Sequence, residues 1–309
     1  MINFVNSKRL FEAVSWIMVV SATIFSIGAI VYFYVILGHN LSERLANFDQ
    51  IPCNRISMLA AFGVLMSLHL LFTKIQWVRR AILLFFMIPL LATTILTQTR
   101  GTVVAIFLAL IILLFRYRKV MVAFLVAMLI IVAITPIKHR LFDTKTNYPR
   151  MGTNYLSLEI IKDYPISGIG FGMQTYGSSY LISPEAYMSR IPTEYWPHEF
   201  FRVPHNMLFS IAVRTGLVGL GFFLYIISVF VYMCWKLIVN GKDDFMRGWG
   251  LCMLSVFFFF FVVGLFEPVF NHLTETLLFA VFSMATVLWR MDVDGNREIT
   301  AAGRKQVMP

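Results

Sequence analysis

Charge is what this chain has least of. Only 14% of its 309 residues are charged, against 59% hydrophobic, and the mean hydropathy is +0.75. A soluble domain is about a quarter charged and roughly half apolar, so the balance points to an all-α polytopic membrane protein. Acidic residues are the scarcer sign, 16 against 26 basic, for a net charge of +10. That excess raises the question of nucleic acid. The basic residues, however, fall in short clusters between apolar runs, which is how topology-setting charges are arranged, so no nucleic-acid partner is expected. Cysteine is nearly absent. Cys53, Cys234 and Cys252 are scattered with no C-x-x-C, so neither a disulfide framework nor a cysteine metal site is expected. The loops assigned below to the outer side also lack an Asp-x-Asp or clustered carboxylates. No metal or other cofactor is therefore expected there. The first apolar run is too long for a signal-peptide core and has no clear small-residue cleavage site, so it is read as a retained anchor.

Long apolar runs are abundant. A helix needs roughly 20 apolar residues to cross the hydrocarbon, with a range of about 17–25. Candidate spans are Val14–Leu37, Met58–Thr73, Ala81–Gln98, Thr102–Phe115, Val120–Thr135, Leu217–Leu237, Trp249–Phe266 and Leu273–Trp289. Lys8 and Arg9 precede the first. Lys74, Arg79 and Arg80 follow the second, and Arg116, Arg118 and Lys119 the fourth. Lys236, Lys242 and Arg247 follow the sixth, and Arg290, Arg297, Arg304 and Lys305 the last. If the spans alternate, all these clusters share one side, and short basic loops mark the cytoplasm. Both termini are then cytoplasmic. The chain divides into N-terminal spans (1–135), a long outer segment (136–205), C-terminal spans (206–290) and a cytoplasmic tail (291–309).

In the outer segment, Arg150–Ile161 reads as a short helix with an apolar stripe. The string SGIGFG from Ser167 reads as tight turns. It lacks the preceding strand and following helix of a dinucleotide loop. His39, His139, His198, His205 and His272 fall on the outer side; His69 alone lies inside a span, where a partner between helices is expected.

Three arginines stand near outer membrane boundaries: Arg55 in CNRIS, Arg100 in LTQTRG and Arg150 in YPRMG. Each alone could be a surface or snorkelling cation. Together they could bind a diphosphate, because guanidinium meets phosphate oxygens in a planar fork. His205 stands at the mouth of the sixth apolar run. It reads equally as a helix-start residue or as a general base for a hydroxyl. Asn206 can cap the helix. Gly216 and Gly219 are placed to let a neighbouring helix approach. Arg214, about two turns into the run, must lie near the interface or have a partner. Glu267, in the outer turn GLFEPVFNH, could orient His205 or Arg100, or simply cap the hairpin.

These residues resemble a known family. HNMLFSIAVRTGLVG fits H-[NSQ]-x9-G-x-x-[GTY] through His205, Asn206, Gly216 and Gly219. That pattern is found in the superfamily of bacterial O-antigen ligases, O-antigen polymerases and protein O-oligosaccharyltransferases. LTQTRG resembles its T-R-G step at the start of a helix, through Arg100. PRMGTNYLSLEIIKDYPISGIGFG resembles its periplasmic segment, through Arg150, Pro165, Gly168 and Gly170, and NRIS resembles a short R-[IL]-S motif, through Arg55. There are departures. Arg214 stands where an acidic residue often precedes T-G, Asn154 where some ligases have Leu, and the family usually has more N-terminal spans.

The resemblance implies a GT-C-like fold in the bacterial inner membrane with its active site facing the periplasm. It implies metal-independent transfer of a glycan from undecaprenyl diphosphate to an acceptor hydroxyl. Arg100 and Arg150 would act on the diphosphate and His205 on the acceptor, with Arg55, Asn206, Arg214 and Glu267 around the substrates and membrane lipid about the donor's tail. Lipid A–core as acceptor gives a ligase, the reading the motifs resemble most. A second repeat unit gives a polymerase, and a protein gives an oligosaccharyltransferase. A non-enzyme alternative is a transporter of the lipid-linked glycan; it calls for charges deep in spans and repeated hydropathy, and neither is clear in the sequence.

Overall fold

The computed structural model describes residues 4–73, 75–115, 117–134, 148–170, 184–196, 204–267 and 272–307, with side chains except at 131–134, 148–149, 184–185, 272 and 294–307. His139 and His198 lie outside the described residues.

Every apolar run forms a helix. In chain order these are α1 Lys8–Ile30, continued by a π-helical turn Val31–Ile36, then α2 Cys53–Leu71, α3 Trp77–Leu96, α4 Arg100–Leu113 and α5 Arg118–Ile134. After them come α6 Tyr148–Asp163, α7 Met207–Asn240, α8 Asp244–Gly264 and α9 His272–Val307. A hairpin of β1 Asn47–Phe48 and β2 Ile51–Pro52 precedes α2. The protein is thus an all-α polytopic membrane protein, and six of the described helices are long and apolar enough to span. The expected spans Thr102–Phe115 and Val120–Thr135 became α4 and α5, of 14 and 17 residues. At 1.5 Å per residue these reach only about 21 and 26 Å, against roughly 30 Å of hydrocarbon. The chain forms two compact units. Unit 1 holds Met1–Thr135, Val229–Phe260 and Leu273–Pro309; unit 2 holds Pro136–Ser228 and Phe261–His272.

Unit 1 is built around α2. The apolar window of α2 is 83% buried, against 33% for α1 and 28% for α3. Lipid tails are as apolar as leucine, so small residues and hydroxyls must carry helix association here. Gly63 does so directly: a Cβ there would sit 2.8 Å from Leu90 Cδ2 and 3.0 Å from Ala22 Cβ. The Ser57 and Thr102 hydroxyls hydrogen-bond each other, and Ser255 Oγ donates to Ala109 O at 2.7 Å.

The two ends of α1 have different company. At its start Lys8 pairs with Asp243, Lys242 Nζ donates to Met291 O at 2.8 Å, and Arg290 Nη2 to Val5 O at 2.7 Å. At its other end Tyr34 Oη donates to Glu43 O at 2.8 Å and Leu45 N to Leu96 O at 3.0 Å. Lys8, Lys242 and Arg290 therefore share one end of unit 1, and Arg55 and Arg100 lie at the other.

His69 corrects an expectation. Its ring is buried, 4.3 Å from that of Trp249, and Nε2 has no hydrogen-bond partner among the described residues.

Candidate active site

Unit 2 brings together residues from three stretches of sequence. Its core is the apolar face of α6: Leu156 and Ile160 pack with Tyr187, Ile191 and Val213. The 3-10 turn Pro184–Arg190 is tied to the end of α6, because Arg190 Nη1 lies 2.9 Å from both oxygens of Asp163. Arg190 first, and then the Tyr187 hydroxyl, hold the Asp163 carboxyl below its usual range. Burial first, then the hydrogen bond to Asp163, pushes the Tyr187 phenol up to about 12. This frame fixes α6, which carries Arg150 in its first turn.

Asn206 starts α7 as the sequence suggested. Its Oδ1 accepts from Leu208 N at 2.9 Å and Phe209 N at 3.2 Å, satisfying donors that a helix start leaves open. Its Nδ2 donates to Leu265 O at 3.2 Å, tying the start of α7 to the turn after α8. Glu267 follows in that turn, its N–H donating to Val263 O at 2.9 Å.

Glu267 is buried, its side chain only 6% exposed. A carboxylate at a helix C-terminus is disfavoured by the helix dipole, and burial adds a desolvation cost. Arg150 offsets both, its Nη2 donating to Glu267 Oε1. The other oxygen, Oε2, lies 3.5 Å from His205 Nδ1. His205 is 19% exposed at its side chain and Arg150 32%. At 3.5 Å the contact lacks hydrogen-bond geometry, and the carboxylate acts on the imidazole through its charge, which favours a proton on Nδ1 and leaves Nε2 as the basic nitrogen. The guanidinium of Arg150 has five N–H donors, so it can hold Glu267 and still meet an anion. Of the partners considered for Glu267, His205 lies beside it, and Arg150, which the sequence did not link to it, pairs with it as well.

The glycines of α7 overturn the expected helix-packing face. Gly216 is a break, with φ 67° and ψ −174° inside the helix. The Pro165–Gly170 turn docks there. Leu217 N donates to Pro165 O at 2.7 Å, Ile169 N to Val213 O at 2.9 Å, and Gly170 N to Arg214 O at 2.9 Å. A Cβ on Gly216 would lie 2.0 Å from Ile166 O, and one on Gly168 2.5 Å from Val213 O. Gly219 meets Thr215 of its own helix instead of a neighbour. The two glycine motifs of the sequence therefore recognise each other. Arg214, beside the break, is only 5% exposed.

In unit 1, Arg55 and Arg100 sit in the first turns of α2 and α4. The Ser57–Thr102 hydrogen bond places these helix starts side by side. Helix N-termini favour anions, and here two of them carry guanidinium groups. Sequence reasoning missed Arg44, whose Nε donates to Thr97 O at 2.7 Å and pins the turn before Arg100. In that turn Gln98 has φ 47°.

With this geometry in place, comparison with known proteins is informative. Residues 85–224 match the family model described as O-Antigen ligase. This stretch is similar to that family's domain. It includes Arg100, Arg150 and His205. The match supports membership of the O-antigen ligase and polymerase superfamily, and with it a ligase- or polymerase-type function on a lipid-linked glycan and a glycan acceptor. No curated protein matches the chain.

Proposed function

We propose that the protein is a membrane glycosyltransferase that moves a glycan from undecaprenyl diphosphate to an acceptor hydroxyl on the periplasmic face of the inner membrane, with lipid A–core as the acceptor. The observation that carries this reading is the Arg150–Glu267–His205 array within a unit whose motifs resemble the family's. His205, oriented by Glu267, takes the proton of the acceptor hydroxyl as that oxygen attacks the anomeric carbon. The bond from that carbon to the diphosphate oxygen breaks, and the diphosphate leaves with the electron pair. Arg150 meets the charge growing on it, the kind of electrostatic stabilisation that is usually the largest single effect. The motifs carrying Arg100 and Arg55 imply a role on the diphosphate as well. No step in this scheme uses a metal ion.

The test is transfer by the purified protein in detergent, with chelator, from undecaprenyl-diphosphate glycan to three acceptors: lipid A–core, a second lipid-linked repeat unit, and a pilin-type protein. The expected result is transfer to lipid A–core. Chain extension alone makes the protein a polymerase, and loss of activity on chelation rejects the metal-free scheme.

A further inference from the structure

Asn154 lies one turn along α6 from Arg150, and residues four apart share a helix face. Helical side chains lean back toward the N-terminus, so the Asn154 carboxamide lies toward the turn that carries Arg150. The residue is half-buried. Its Oδ1 is enclosed without a hydrogen-bond partner among the described residues, whereas Nδ2 is neither bonded nor enclosed. The open edge of the amide is therefore the one that can only donate. Folding makes no use of this group. Leu156 and Ile160 form the core face of α6, and the Ser157 hydroxyl is satisfied within the helix, donating to Thr153 O at 2.7 Å. An enclosed amide oxygen without a donor is destabilising, and asparagine is a poorer helix former than leucine. For folding alone leucine, which has the same branched outline, is the better residue here. The carboxylate nearest Arg150 does not take up the free donor: Glu267 directs Oε1 to Arg150 and Oε2 toward His205. An open N–H beside a partly exposed guanidinium suits an acceptor oxygen that carries negative charge.

We propose that Asn154 is a donor-binding residue, whose Nδ2 donates to a phosphate oxygen of the lipid diphosphate held beside Arg150. This deepens the role given above to Arg150 and rests on it. A diphosphate has more lone pairs than one guanidinium can fill, so a second N–H one helical turn away finds an acceptor within reach. The amide adds a hydrogen bond without adding charge. It touches the diphosphate and not the acceptor sugar, and it does so before transfer as well as during it. Its contribution therefore falls chiefly on the donor's KM.

The experiment titrates the full chain in detergent with a short-chain prenyl diphosphate, and measures thermal stability and transfer kinetics on the same samples. N154L keeps the outline and loses the donor. It should bind the probe about tenfold more weakly, since hydrogen bonds to charged groups are the stronger kind, while unfolding at the parental temperature or above. Its KM for the lipid-linked glycan should rise by a similar factor, with the KM for the acceptor unchanged. N154Q keeps the donor on a longer stem and should recover part of the binding. N154D sets a carboxylate against the phosphate and should bind more weakly than N154L. Parental affinity in N154L, beside weakened binding in R150A/E267Q, would remove Asn154 and leave Arg150 in place. Lower stability in N154L with parental binding per folded molecule would make the amide a structural group and overturn the proposal. Failure of the parent itself to bind the probe would overturn the diphosphate role of Arg150 and this inference with it.

Discussion

Glu267 faces two partners at once: Oε1 accepts from Arg150 Nη2, and Oε2 lies 3.5 Å from His205 Nδ1. The carboxylate therefore couples the cation proposed for the leaving group to the base proposed for the acceptor. Each of the two would be set by the same buried charge.

That coupling separates stability from transfer. Arg150→Ala takes the Arg150 cation from buried Glu267, and removing one partner of a buried pair costs about 3–5 kcal/mol. With Arg150 partly exposed, the lower end of that range is expected. Adding Glu267→Gln removes the stranded charge and should recover most of the lost stability. Transfer should not recover, because the guanidinium is still missing. Thermal unfolding and glycan transfer on the same samples check both halves. Recovery of the two together would reduce Arg150 to a structural partner of Glu267.

How much of this was legible beforehand differs by residue. The helices were, because a membrane span needs a run that composition alone displays. Asn206 as a cap was also legible, since its role depends on bonds to the next few residues. The Arg150–Glu267 pair joins residues 117 positions apart, and no local pattern fixes such a contact. Gly216 and Gly219 were misread because helical periodicity describes which face a residue occupies. It cannot show that Gly216 leaves the helix at φ 67° to receive a turn. His69 invited the general expectation that polar groups in spans find partners, whereas its ring packs against Trp249 and close to Gly248 instead.

The docked turn gives a second prediction. Gly216→Ala forces a side chain into a left-handed backbone and into Ile166 O, 2.0 Å away. The backbone strain alone costs about 1–3 kcal/mol, and the three hydrogen bonds between Pro165–Gly170 and Val213–Leu217 must also shift. Faster limited proteolysis in the 165–170 turn is expected, together with reduced transfer. Ala at Gly221, where nothing lies within 4 Å of an added Cβ, is the control and should change neither. Unchanged protection in Gly216→Ala would show that the turn is held by other contacts.

Tyr187 makes unit 2 sensitive to alkali. Its phenol is pushed from 10.0 to about 12, first by burial and then by the Asp163 carboxylate. A group whose folded value is raised contributes fully below its unfolded value and loses that contribution as pH rises through the folded one. Resistance of the 148–196 region to proteolysis should therefore decline between about pH 10 and 12. Tyr187→Phe removes the titrating hydroxyl. It should start less resistant at neutral pH and show a flatter decline across the window. Parallel declines in the two proteins would assign the alkaline loss to other groups.

Sidedness can be read with single cysteines. Cys53, Cys234 and Cys252 are all buried, so the labelling background is low. Ser189 is exposed in unit 2, and Asn240 is exposed at the end of α7, near the Lys242 cluster. If the basic clusters mark the cytoplasm, a cysteine at Ser189 should react with an impermeant maleimide in intact spheroplasts, and one at Asn240 only after lysis. The opposite pattern would place His205 on the wrong side for a periplasmic transfer.

The sharpest prediction concerns His205 and Glu267 as a pair. If His205 is the base, His205→Ala should leave a folded protein whose transfer falls by about two to four powers of ten. If it serves only as a loop hydrogen bond, the loss should appear as about 1 kcal/mol of stability with turnover per folded molecule intact. Glu267→Gln preserves shape and removes the charge 3.5 Å from Nδ1. As a positioning residue it acts through His205, so it should lower transfer in the parent by roughly tenfold or more and scarcely change the residual rate of His205→Ala. Two groups acting as one unit are strongly non-additive, whereas two independent structural defects would multiply. The measurement is the four-way cycle of parent, both single variants and the double variant, with turnover normalised to folded protein. Multiplicative losses would remove Glu267 from the mechanism, and full turnover in His205→Ala would remove His205 as well.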